Sequence, residues 1–106
     1  MARYLWQVSY TADGVRGVLG EGGTGRRAAV EKLVEGVGGR VVSFDFAFGA
    51  DDVFVIADLP DNVTAAAIGL TVAAAGAASI RTVVLISPEE IDAAAQKTIE
   101  YRAPGA

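Results

Sequence analysis

The chain has neither cysteine nor histidine. Without cysteine there is no disulfide, no thiolate nucleophile and no zinc-finger site. Without histidine there is no Ser–His–Asp or Cys–His arrangement, no common axial haem ligand and no side chain that titrates near neutral pH. Any proton transfer must use Asp, Glu, Tyr, Lys or a chain terminus. Basic residues are also few: nine Lys and Arg stand against thirteen Asp and Glu, for a formal net charge of −4, and they form no stripe. Phosphate neutralisation needs clustered Lys and Arg, so no nucleic-acid partner is expected. One run lacks charge, Asn62 to Ile80, but it is mostly Ala and carries Thr64, Gly69, Thr71, Gly76 and Ser79. It reads as a helix running into a strand and not as a membrane span, so no membrane partner is expected. The opening Met1-Ala2-Arg3-Tyr4-Leu5-Trp6-Gln7 goes straight into alternating sequence without an apolar core of signal-peptide length. With zero cysteine, this gives the expectation of a cytoplasmic protein.

What is present is a core. Apolar residues make up 52% of 106, enough for one buried interior, so residues 1–106 are read as a single domain. Tyr4 to Tyr10 alternates, with Tyr4, Trp6, Val8 and Tyr10 on one side and Leu5, Gln7 and Ser9 on the other, which predicts a half-buried strand. A short helix opens at Thr11-Ala12-Asp13 and runs through Leu19. The segment Gly20-Glu21-Gly22-Gly23-Thr24-Gly25 interrupts it. A second helix covers Arg26 to Val37, with Val30, Leu33, Val34 and Val37 as its apolar stripe and Gly38-Gly39 as its stop. The next strand is predicted over Arg40 to Phe48, with Val42, Phe44, Phe46 and Phe48 on one face and Val41, Ser43, Asp45 and Ala47 on the other. A turn at Gly49-Ala50-Asp51 leads to a β-branched and aromatic strand, Asp52 to Asp58. Leu59-Pro60 stops it, and Asp61 caps a helix to about Ala75. A fourth strand follows from Ser79 to Ile86. Ser87-Pro88-Glu89-Glu90 is a full helix start, with a Ser cap, Pro at the first position and Glu three after the cap. The last helix is expected to turn Ile91, Ala95 and Ile99 inward, and the tail from Tyr101 to be irregular.

The order β-α-β-β-α-β-α predicts an α+β, ferredoxin-like βαββαβ fold with an extra C-terminal helix. Its four-stranded antiparallel sheet meets its own helices on one face only. The other face also carries apolar residues, so a two-fold homodimer packed sheet to sheet is expected, with a cavity between sheet and partner.

The chain also resembles the GYD domain family. The similar elements are Tyr4-Leu5-Trp6-Gln7-Val8-Ser9-Tyr10, Gly22-Gly23-Thr24-Gly25-Arg26-Arg27, Gly38-Gly39, Phe48-Gly49 through Asp52, Asp58-Leu59-Pro60-Asp61 and Tyr101-Arg102, which together span nearly the whole chain. The turn departs from the family pattern: Asp51 stands where an aromatic Tyr usually precedes the Asp, here Asp52. The resemblance implies a dimeric α+β barrel built from ferredoxin-like protomers, and no established activity.

Four constellations could carry chemistry. Asp45 interrupts an apolar strand beside Ser43, on a face expected near Gln7 and Ser9 or near Arg81 and Thr82. A carboxylate in an apolar cavity could serve as general acid or base; the competing reading is a rim aspartate facing water or an arginine. Asp51 and Asp52 could approach a divalent cation, but two adjacent carboxylates lack the ligand count of a calcium loop, and turn chemistry is the simpler reading. Thr24, Arg26 and Arg27 follow glycines at a helix start, where backbone N–H groups could hold a phosphate or carboxylate. The alternative is a kink with solvated arginines. Tyr4, Trp6 and Tyr10 either line an aromatic pocket or pack beneath the helices.

The leading functional expectation is a dimer that binds a small molecule at the sheet face, with no cofactor and no metal, using Gln7, Ser9 and Ser43 as polar groups. The enzyme alternative is a cofactor-independent oxygenase, isomerase or decarboxylase on an aromatic or polyketide-like substrate, with Asp45 as acid or base and Gln7 and Ser9 as polar positioners. A third reading is a structural or regulatory subunit whose second sheet face is all interface.

Overall fold

A computed structural model describes residues 1–106. Its elements are β1 (Ala2–Tyr10), α1 (Ala12–Gly36), β2 (Arg40–Phe46), β3 (Val53–Leu59), α2 (Asn62–Ala75), β4 (Ala78–Leu85) and α3 (Pro88–Ala95). The four strands form one antiparallel sheet in the order β2-β3-β1-β4, the ferredoxin-like arrangement the element order implies. The central strand β1 pairs with β3 on one side and β4 on the other.

Alternation assigns the faces. Tyr4 and Trp6 of β1, with Val53, Val55, Ala57 and Leu59 of β3, point to the helix side and join Val34 of α1 and Ala65 and Ile68 of α2 in one core. The aromatic face of β1 is therefore packed beneath the helices. The Tyr4 hydroxyl donates to Asn62 Oδ1 at 2.5 Å, tying the core strand to the start of α2.

Local chemistry sets the ends of the helices. Thr11 caps α1 by accepting from the Gly14 N–H, Asp61 caps α2 by accepting from the Thr64 N–H, and Ser87 and Glu90 complete the reciprocal capping box expected of α3. Gly76 ends α2 in the left-handed conformation. The glycine segment of α1 interrupts less than expected. Helical structure continues through it except at Gly22, whose φ of 80° breaks the helix at a single residue.

Three further expectations are corrected. Strand β2 ends at Phe46, and Phe48 is fully exposed in the connecting loop. A bulge lies between Val41 and Ser43, where an extra residue shifts the alternation. It returns Val41 to the core side, opposite Ala57 and packed against the core with Phe44, so Val41 does not share a face with Asp45. The last helix does not turn inward: α3 ends at Ala95 and buries nothing, and Ile91 and Ile99 are more than half exposed. It makes no substantial packing contact with another element. The radius of gyration is 17.0 Å, against about 13 Å for a compact chain of this size.

The turn from α1 into β2 is tight. A Cβ on Gly39 would sit 2.5 Å from the Asp58 carbonyl oxygen, 2.9 Å from Leu59 Cδ2 and 3.0 Å from Val34 Cγ1. Gly39→Ala is expected to cost about 1–3 kcal/mol through overpacking, whereas Gly17→Ala, in open space on α1, should gain about 0.5–1 kcal/mol from helix propensity. Urea denaturation of both variants checks this; matching midpoints would contradict the close approach at Gly39.

Candidate functional site

The face of the sheet away from the helices is uncovered. Leu5, Phe54 and Ile56 lie half-buried near its centre, with Val83 and Leu85 on β4. The pairing registers place Asp45, Phe54, Gln7 and Arg81 in one row across all four strands. Ser43, Ile56, Leu5 and Val83 form the next row. Asp45, Gln7, Ser43 and Ser9 therefore share a face, as expected. They are not neighbours: Phe54 separates Asp45 from Gln7, and two strand spacings set their Cα atoms about 10 Å apart. Asp45 is exposed on the edge strand and forms no ion pair.

Two arginine–aspartate clusters hold the ends of this face. At one end Arg3 Nε donates to Asp58 Oδ1 at 2.9 Å, while Arg3 Nη2 and Arg40 Nη2 donate to Asp58 Oδ2 at 3.2 and 2.9 Å. These hydrogen bonds, Arg3 first and then Arg40, hold the Asp58 carboxyl down at about 2. At the other end Asp51 is 8% exposed; it accepts from Ser9 Oγ at 3.1 Å and from Arg81 Nη2 at 2.6 Å. Asp52 turns elsewhere. Its carboxylate accepts from the Tyr10 N–H at 2.8 Å, and its own N–H donates to the Val8 carbonyl at 2.8 Å. The adjacent aspartates thus serve different partners and do not converge on one cation. No group of three or more carboxylates has the geometry of a metal site.

Neither cluster was assigned from the sequence, though the first left a full signal and the second a partial one. Arg3 and Asp58 are opposite charges in directly paired positions of adjacent strands, which the fold's strand order makes neighbours. Ser9 and Arg81 share the open face by parity alone. Asp51 was not legible in this way, because it lies in a loop.

The glycine-led segment is on the helix side. Thr24 and Arg27 are exposed there, or nearly so, and Arg27 lies 4.0 Å from Glu31. Arg26 donates to Glu21 Oε1 at 3.4 Å, across the Gly22 break. The three residues named as an anion site thus follow the kink together, but both arginines already face carboxylates. Arg26 also stands beside the Tyr10 phenol, which burial pushes up while the guanidinium pulls it down. Beneath them the indole N–H of Trp6 is buried without an acceptor, a defect that costs about 1–3 kcal/mol.

No helix is long and apolar enough to cross a membrane. Residues 4–95 match the sequence model of the GYD domain. No curated protein and no solved structure matches the chain significantly.

The depressed carboxyl of Asp58 links stability to acid. Its folded value lies below its ordinary one, so its contribution is complete above about pH 4 and is lost as pH falls towards 2. Asp58→Asn should lower the melting temperature at neutral pH and flatten its decline between pH 4 and 2. Thermal melts of both proteins across that range check it; parallel curves would show that the cluster is not the source.

Proposed function

The chain belongs to the GYD domain family, and from that premise we propose that it works as a homodimer through the open face of its sheet. A small molecule occupies the space left between the two facing sheets, and the protein supplies no cofactor. The observation that carries this reading is the row Asp45–Phe54–Gln7–Arg81. It combines an apolar centre with polar ends, the composition of a small-molecule site. An uncovered sheet face with Leu5, Phe54, Ile56, Val83 and Leu85 is also an apolar patch of the kind that marks an interaction surface.

The polar groups sort by what they are free to do. Asp51, Asp58 and Ser9 are committed to partners within the chain. Asp45 and Gln7 have no side-chain partner recorded in the structure and remain for a ligand, with Ser43 in the row beside them. Asp45 becomes an acid or base only if a second subunit encloses it, because on the single chain it faces water. The proposed site therefore depends on the dimer.

Light scattering at micromolar concentration should give about twice the 10.9 kDa of one chain. Ile56→Glu, which puts a charge at the centre of the open face, should give the one-chain mass with unchanged far-ultraviolet circular dichroism. A parent protein of one-chain mass, or an Ile56→Glu variant that stays dimeric, would overturn the sheet-to-sheet reading.

A further inference from the structure

The sheet ends in two unlike edges. β2 is blunted: a bulge lies between Val41 and Ser43, and Arg40 and Asp45 put charges on the strand. β4 is not. Its eight residues pair with β1 without a register shift, it holds no proline, and its one charged side chain, Arg81, is tied to Asp51. The backbone groups on its outer side bond to no other part of the chain. Such an edge is a template for one more strand. Its side chains are uncovered as well, with Val83 40% and Val84 52% exposed. Beside Val84, on the helix side, a groove of about 480 Å³ runs between β4 and α2, walled by Tyr4, Ala66, Gly69, Leu70 and Thr82. No charged residue lines it.

The chain carries a segment of matching pattern. Lys97-Thr98-Ile99-Glu100-Tyr101-Arg102 follows α3 and lies outside any helix or strand. Thr, Ile and Tyr are strand formers. Alternation puts Ile99 and Tyr101 on one face and Thr98, Glu100 and Arg102 on the other. Ile99 and Tyr101 are each 77% exposed. The structure holds this tail off its own β4. To lie parallel to that strand, the chain has to travel back about 26 Å. The eight-residue α3 spans about 12 Å and makes no substantial packing contact with any element.

We propose that residues 97–102 of each copy pair along β4 of its partner as a fifth strand, with Ile99 and Tyr101 seated in the groove between β4 and α2. The polar set, Thr98, Glu100 and Arg102, then faces the other side of the sheet. This rests on the homodimer reading, because the donor is the copy seated on the open face. Reach is sufficient: α3 and the tail together run about 30 Å, and the narrower dimensions of the chain are 32 and 24 Å. Exchange of an identical segment is a low-cost addition to a two-fold dimer. It gives the outer groups of β4 backbone partners and covers both exposed apolar side chains of the tail.

The chain has no cysteine, so introduced ones report without background. Copies with Leu70→Cys and copies with Ile99→Cys, refolded together from urea and treated with a short bismaleimide, should give a two-chain product on a denaturing gel. Neither variant alone should give it in comparable yield. The chain carrying both substitutions should also link mainly to a second copy; a one-chain linked product would place the tail on its own groove and overturn the proposal. Ile99→Lys with Tyr101→Lys should speed hydrogen exchange of the outward β4 amides roughly tenfold or more, while light scattering still gives the dimer mass. A parent protein of dimer mass that yields no two-chain product, or whose β4 amides exchange as fast as the variant's, overturns the fifth strand and leaves the open-face reading standing. A parent of one-chain mass removes the donor and overturns both.

Discussion

The register of β1 is the constraint on which the rest of the structure depends. It is hydrogen-bonded on both sides, and its side chains alternate between two faces of unlike chemistry. A slip of one residue would send Tyr4 and Trp6 to the open face and drive Arg3 and Gln7 beneath the helices. The strand is pinned at both ends against that slip. Near its start Arg3 grips Asp58 of β3, and the Tyr4 hydroxyl reaches Asn62 at the head of α2. Near its end the carboxylate of Asp52 takes the Tyr10 N–H, and the Asp52 N–H reaches the Val8 carbonyl. Asp52 is thus a register lock on the central strand.

With the faces fixed, the helix layer determines what space remains. The segment of α2 is rich in Ala, and only Ala65 and Ile68 of it are buried. In α1 only Gly14 and Val34 are buried, and the break at Gly22 divides the helix in two. With so few helix side chains fully buried against the sheet, the layer between them is incompletely filled, whereas a close-packed core needs matched volumes. A cavity beside Trp6 is the result. A tryptophan in this position fills much of the gap with its ring but leaves its N–H unanswered.

Period and capping made most of the fold legible in the sequence. Asp61, Gly38-Gly39 and the Ser87–Glu90 box marked helix ends correctly because each acts through its own neighbours. The misread features are non-local. The bulge at Val42 depends on how β2 meets β3, and one extra residue was enough to move Val41 to the other face. The exposure of Ile91 and Ile99 reflects where α3 lies in space, which an apolar spacing of four or eight residues does not decide. At the candidate site, parity correctly grouped Asp45 with Gln7, Ser9 and Ser43. It could not show that Phe54 stands between the first two, since that needs the strand order as well as the alternation.

The charge pattern of the open face bears on self-association. The chain is acidic as a whole, and two copies of an acidic surface repel. That face, however, carries Arg3, Arg40 and Arg81 against Asp45, Asp51 and Asp58, and all three arginines are paired to carboxylates within the chain. The surplus of negative charge lies elsewhere, on side chains such as Glu31, Glu35, Glu89 and Asp92 of the helices. The face is close to neutral, and its two clusters take the arginines out of play. Asp45 is left as its one carboxylate without a counter-ion. Two-fold contact across this face would therefore meet little electrostatic resistance. The group it would most need to neutralise, by a partner's donor or by a bound ligand, is the aspartate that interrupts the apolar strand.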